Sequence, residues 1–154
     1  MVEVAQVGRV QTVLLVDDEE DILASLSDLL TSALDGVRVV TASSGREALG
    51  RLEAEEVDLI VTDYKMPGMN GFELLCEAAQ RAPQVPRMLM TAFPDLDIAL
   101  RAINEARIDN FFTKPLDPPK IVEVVGEVLS GRRAKAQRDR AMARTLSLLR
   151  EKAD

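Results

Sequence analysis

The stretch Val57-Asp58-Leu59-Ile60-Val61-Thr62-Asp63, followed at once by Tyr64-Lys65-Met66-Pro67-Gly68-Met69-Asn70-Gly71, decides the fold. Its first half is a short apolar run rich in β-branched residues, which reads as a buried strand. The run ends on a carboxylate, Asp63. The Pro-Gly and Asn-Gly pairs behind it impose a loop, because proline fixes its own φ and glycine takes positive φ freely. An acid therefore sits where a hydrophobic strand opens into solvent. In an open parallel sheet, ligands bind in the crevice outside that end of the strands. A solitary loop aspartate is ordinarily a helix cap or a solvated turn residue. Asp63 stands apart because other strands of this chain also end on polar groups.

Upstream, residues 12–16 (TVLLV) form a second buried run, which leads directly into Asp17-Asp18-Glu19-Glu20-Asp21. Acids there suit the first turn of a helix, where they meet the positive end of its dipole. Ile22, Leu23, Leu26, Leu29, Leu30 and Ala33 then recur at helical spacing until Asp35 and Gly36 stop them. Residues 37–40 predict a strand, and Ser44 with Glu47 predicts a capping box for the next helix, which carries Ala48 and Leu49. Downstream, residues 72–82 predict an amphipathic helix ended by Pro83 and Pro86. Residues 87–91 (RMLMT) predict a strand that closes on a hydroxyl, Thr91. Pro94 and Asp95 start a helix carrying Ile98, Ala99, Ala102, Ile103 and Ala106. Residues 109–113 (DNFFT) predict a short strand leading into Lys114 and Pro115, with Phe112 read as core. Asp117 before Pro118 is a strong start for a last helix with Ile121, Val122, Val124, Val125, Val128 and Leu129.

Strand and helix alternate throughout, so the chain is an α/β protein with a doubly wound, five-stranded parallel sheet and helices on both faces. Right-handed crossovers favour the order 2-1-3-4-5, whose switch point lies between the first and third strands. Asp17, Asp18 and Asp63 gather there. Thr91 and Lys114 should share their rim.

Composition narrows the chemistry. The 154 residues, 47% of them hydrophobic, suffice for one ordinary core, and it must be aliphatic: there is no tryptophan, one tyrosine and four phenylalanines. Histidine is absent, which removes imidazole acid–base catalysis, imidazole metal ligation and a phosphohistidine on this chain. The one cysteine, Cys76, excludes a disulfide framework, and its helical spacing with Phe72, Leu75 and Ala79 reads as a small core residue. The first ten residues lack the apolar core of a signal peptide and no run is long enough to span a bilayer, so a cytoplasmic location is expected. After Ser130 there are eight Lys or Arg against three acids, a tail of +5, so within the net charge of −7 the body that precedes this basic tail carries −12.

Three carboxylates gathered at one rim need a compensating cation. Oxygen ligands alone favour Mg²⁺ or Mn²⁺ over zinc. A lysine and a hydroxyl opposite them suit an anion with several oxygens. A phosphoryl group held between metal and ammonium fits both, with one aspartate as the nucleophile that accepts it.

Taken together, Asp17-Asp18 after the first strand, Asp63 with Met66-Pro67-Gly68 behind it, Thr91-Ala92, and Lys114-Pro115 resemble the receiver domain of two-component response regulators. The resemblance covers roughly residues 10–130. It implies a flavodoxin-like, chemotaxis-regulator-like fold and a phosphorylation-controlled signalling switch. By that resemblance Asp63 accepts the phosphoryl group from a phosphohistidine on a sensor histidine kinase or phosphotransfer protein. Asp18 and Asp63, with the backbone carbonyl of Lys65, hold Mg²⁺, and Asp17 acts mainly through water. Lys114 pairs with the phosphoryl oxygens, and its bond to Pro115 is expected to be cis. Thr91 is the switch hydroxyl and Phe111 the switch aromatic. Lys65 and Phe93 flank the site at positions where the family varies.

The remaining expectations concern organisation and class. Residues 1–9 are expected to be a flexible segment, residues 10–130 the receiver domain, and residues 131–154 a basic helical tail or linker. Met142, Leu146 and Leu149 give that tail a heptad-like stripe, so a solvated helix extension and a dimerising linker both stay open. Without aromatics or a broad apolar face, no direct nucleic-acid or membrane partner is expected of it, and a homodimer stays open with the linker reading. Catalysis on outside substrates is not expected beyond self-phosphorylation and slow self-dephosphorylation. The rival reading is a Mg²⁺-dependent phosphohydrolase working through an aspartyl-phosphate. Those enzymes usually carry a second acid two residues after the nucleophile, where this chain has Lys65.

Overall fold

Strand β1 (Gln11–Val16) is buried along its whole length, as a central strand with both faces covered must be. In the computed structural model, which describes residues 10–93 and 95–153, it pairs with β2 (Val37–Ala42) on one side and β3 (Leu59–Asp63) on the other. β4 (Arg87–Thr91) and β5 (Asn110–Thr113) complete a sheet of order β2-β1-β3-β4-β5, parallel throughout. The expected fold class and strand order are what the chain adopts. The segment 1–9 and Pro94, expected to be flexible and to open a helix respectively, lie outside the described residues, as does Asp154.

Alternation along each strand divides the interior in two. Leu14, Val16, Ile60 and Leu89 point to the side covered by α2 (Gly45–Ala54), α3 (Gly71–Arg81) and α4 (Leu96–Asn104). Val13, Leu15, Leu59, Val61, Met88 and Met90 point to the side covered by α1 (Glu20–Ala33) and α5 (Pro118–Ala153). Phe111 and Phe112 face opposite cores by the same rule. Each buried aliphatic side chain contributes about 1.5–3 kcal/mol, so the two cores hold every strand end in register. Cys76 packs half-buried against the first core, and burial pushes its thiol up, away from reactivity.

Several local readings change in detail. β2 runs on to Ala42, because its ladder with β1 continues as far as Val16. At the start of α2 the Ser44 hydroxyl accepts the Glu47 N–H, but the Glu47 carboxylate takes the Ser43 N–H and hydroxyl at 2.7 and 3.0 Å. The reciprocal box forms instead at α3, between Asn70 and Glu73. Of the stripe expected on α4, Ala102 and, just past its end, Ala106 are buried, Ile98 and Ala99 are half-buried, and Ile103 departs from it at 52% exposed. The helix lies over the edge of the sheet, where β5 is only four residues long, and Leu96, Leu100 and Ile103 face outward.

The last helix does not break at residue 130. α5 is a single helix of 36 residues, and residues 135–151 of it are exposed. At 1.5 Å per residue, residues 132–153 extend it by about 33 Å beyond the turn at Gly131.

Candidate functional site

Parallel strands in register end together, and here β1 and β3 end on acids. Asp17 follows β1 fully buried, Asp18 beside it is exposed, and Asp63 is the last residue of β3. Carboxylate oxygens of Asp17, Asp18 and Asp63 lie within 4.8 Å of one another. Lys114, just beyond β5, reaches across this rim. Its backbone N–H donates to the Thr91 carbonyl at 2.8 Å, and its bond to Pro115 is cis. Its ammonium stands 3.1 Å from Asp17 Oδ2 and 3.1 Å from Asp63 Oδ1.

The electrostatics follow from that geometry. Burial, and then the charge of Asp17, push the Asp63 carboxyl above the usual carboxylate range, with Lys114 opposing both. Burial draws the Lys114 ammonium down. The hydrogen bonds and charges of Asp17 and Asp63 outweigh it and hold Lys114 above the ordinary lysine value. Asp17 Oδ1 accepts the Glu19 N–H at 2.9 Å, so both of its oxygens are engaged. Its position is fixed by the first turn beyond β1 and by Lys114.

Of the residues singled out in the sequence, Asp17, Asp18, Asp63 and Lys114 come together directly. Thr91 is buried at the end of β4, but its hydroxyl accepts the Phe93 N–H at 3.2 Å and turns toward that residue's carbonyl at 3.4 Å. Phe111 is half-buried against the core under α3. The Lys65 ammonium lies 5.8 Å from the centre of the Phe93 ring, which is 73% exposed. The two flanking residues therefore meet.

Sequence reasoning missed one residue that shapes the site. Gly71, the first residue of α3, donates its N–H to the Tyr64 carbonyl at 2.7 Å. A Cβ there would stand 2.9 Å from both the Asp63 carbonyl carbon and the Tyr64 Cα, closer than side chains come to backbone. The Asn-Gly pair signalled a turn. That α3 begins in contact with the backbone of Asp63 is a tertiary fact with no local signal.

Three oxygen donors without imidazole or thiolate fit Mg²⁺. With an ammonium on the opposite side, the rim can take a phosphoryl group between two positive charges. Beside Lys114 a mostly apolar groove of about 300 Å³ runs between α1 and the loop after β5, lined by Asp21, Ile22, Ser25, Leu26, Pro115 and Leu116.

Residues 13–126 match the family described as the response regulator receiver domain. The chain is 37% identical over 116 residues to the DNA-binding transcriptional regulator NtrC of Klebsiella pneumoniae, covering 75% of this chain and 24% of that protein. It is 36% identical over 129 residues to the response regulator protein PilR of Pseudomonas aeruginosa, covering 82% of this chain and 28% of that one. The chain thus spans about a quarter of the length of these curated relatives. Among solved structures, the signal receiver domain of an HD domain-containing protein from Pseudomonas fluorescens superposes with a TM-score of 0.77 at 33% identity, covering 82% of this chain and 99% of that one. A CheY-like receiver domain from Methanospirillum hungatei gives 0.76 at 29% identity, covering 82% and 98%.

Proposed function

The chain belongs to the response regulator receiver domain family, and from that premise we propose that Asp63 is the phosphoryl acceptor of a phosphorylation-controlled switch. The observation that carries the reading is the Lys114 ammonium shared between Asp63 and buried Asp17 at 3.1 Å each, beside exposed Asp18. Asp17, Asp18, Asp63 and the Lys65 carbonyl would hold Mg²⁺. When bound, Mg²⁺ supplies positive charge to the carboxylates and to the phosphoryl oxygens.

An Asp63 carboxylate oxygen attacks phosphorus, the bond to the donor imidazole of a sensor kinase or phosphotransfer protein breaks, and the imidazole leaves. Lys114 then exchanges one carboxylate for phosphoryl oxygens. The Thr91 hydroxyl exchanges the Phe93 backbone for the same group, drawing in the end of β4, and Phe111 on the neighbouring strand repacks. The groove beside Lys114 gives an apolar seat for the donor protein. The outward Leu96, Leu100 and Ile103 of α4 suit a second copy or a downstream partner that reads the change. No helix among the described residues is long and apolar enough to cross a membrane, consistent with a cytoplasmic switch.

Acetyl phosphate with Mg²⁺ tests the acceptor. Intact-mass measurement is expected to show one phosphoryl group per chain without sustained turnover of the donor. Asp63→Asn or chelation should abolish it. Labelling that persists in Asp63→Asn overturns the assignment, and rapid multiple turnover favours a phosphohydrolase.

The contact between Lys65 and Phe93 sets a second expectation, the lifetime of the acyl phosphate. Hydrolysis needs a water in line behind phosphorus, and these two side chains cover its approach. An exposed cation–π contact is worth about 0.5–1 kcal/mol, and the ring also excludes water. Loss of about 1.4 kcal/mol from the hydrolytic barrier is a ten-fold rate change. Lys65→Asn and Phe93→Ala should each speed decay of the phosphorylated protein by up to about ten-fold. Decay at the wild-type rate in the double variant would show that the pair shields nothing.

A further inference from the structure

α5 carries two glycines in its body-proximal part, and packing accounts for one. A Cβ on Gly126 would meet Leu34 Cδ2 at 3.2 Å, so that glycine lets α5 lie close against α1. A Cβ on Gly131 would meet nothing within 4 Å. No contact requires glycine there. Yet Gly131 directly follows Ser130, at the turn between the last core residue of α5, Leu129, and the half-buried residues 132–134, beyond which the helix is exposed over residues 135–151. Glycine is the poorest helix former after proline, and Gly/Ser pairs are among the recognised places where long helices kink. The same turn is tied down by three side-chain bonds. Gln11 Nε2 donates to the Leu129 carbonyl at 2.9 Å. Arg132 Nε donates to Asp58 Oδ1 at 3.2 Å, and its Nη1 donates to the Gln84 carbonyl. Asp58, itself 1% exposed, holds the Thr12 N–H with its other oxygen at 2.7 Å. Arg132 thereby fastens α5 to the entries of β1 and β3 and to the loop before β4, at the edge of the sheet opposite Asp63.

We propose that Ser130 and Gly131 form a hinge and that Arg132 is its latch. With the latch closed, residues 132–153 are held in one direction relative to the body. With it open, the tail swings about Gly131. The device is independent of the phosphoryl chemistry, and its test needs none.

Spin labels on Asp28→Cys in α1 and Ser147→Cys in the tail, in a Cys76→Ser background of the full chain, report the body-to-tail distance by pulsed electron resonance. The latched protein should give a narrow distribution. Arg132→Ala should at least double its width, with the body's melting transition retained. Adding Gly131→Ala, which fits the open space, should restore most of the narrow width. If Arg132→Ala does not fold, Arg132→Lys carries the same test, since lysine keeps the charge but lacks the fork that spans Asp58 and Gln84. An unchanged width on loss of the latch, or no narrowing by Gly131→Ala, overturns the proposal.

Discussion

Replacing Lys114 by methionine is expected to cost the metal-free protein about 3 kcal/mol of stability at pH 7. Methionine keeps the length of the stem and removes the ammonium that Asp17 and Asp63 share. Their side chains are 1% and 10% exposed, so little water reaches the charges left behind. Breaking a buried ion pair by deleting one partner costs about 3–5 kcal/mol. The lower end applies because Asp63, already pushed up by burial and Asp17, can take a proton instead. Denaturant titration should show the midpoint falling with little change in slope. Adding Mg²⁺ should narrow the gap, and Asp63→Asn in the same background should recover part of it by removing one buried charge. A midpoint equal to wild type would mean that solvent, not Lys114, neutralises the acids.

Gly71→Ala is expected to slow phosphoryl uptake by about a hundred-fold while costing about 1–3 kcal/mol in stability. The added methyl has no free space: it would press on the Asp63 carbonyl and the Tyr64 Cα, which are backbone and cannot rotate away. Relief requires β3 and α3 to part, lengthening the bond from the Gly71 N–H to the Tyr64 carbonyl. That motion carries Asp63 with it, and a displacement near 1 Å is enough for the rate loss. Asn70→Ala is the control. It removes the cap beside Gly71 at a cost of about 1 kcal/mol but adds nothing against Asp63, so its uptake rate should stay near wild type. Equal slowing in both variants would trace the effect to loss of the helix start.

The sheet was legible because each strand is a short apolar run with a polar group at its exit, and parallel connections leave few orders to choose from. The acids were legible for the same reason: Asp17, Asp18 and Asp63 stand where those runs stop. Lys114 was reached from its place just past the short run 109–113, which put it on the same rim, and the resemblance supplied its pairing role. What stayed hidden depends on groups far apart in sequence. Asp58 read as the lead-in to a strand, and Arg132 as one cation of a solvated tail, although they bond across 74 positions. Lys65 and Phe93 were placed at the site, but a loop-to-loop contact has no periodicity to reveal it. Ile103 fitted a helical stripe and still faces solvent, because spacing defines a helix face without saying what covers it.

The sparse anchoring of α4 bears on how such a protein diversifies. Its one buried side chain, Ala102, leaves the outer positions almost free of the fold's constraints. Substitutions there cost the body little, whereas at the rim of Asp17, Asp63 and Lys114 each change breaks a largely buried ion pair. Selection can therefore rewrite what α4 presents to the outside while inheriting the chemistry unchanged, so that gene duplicates acquire separate audiences for the same event.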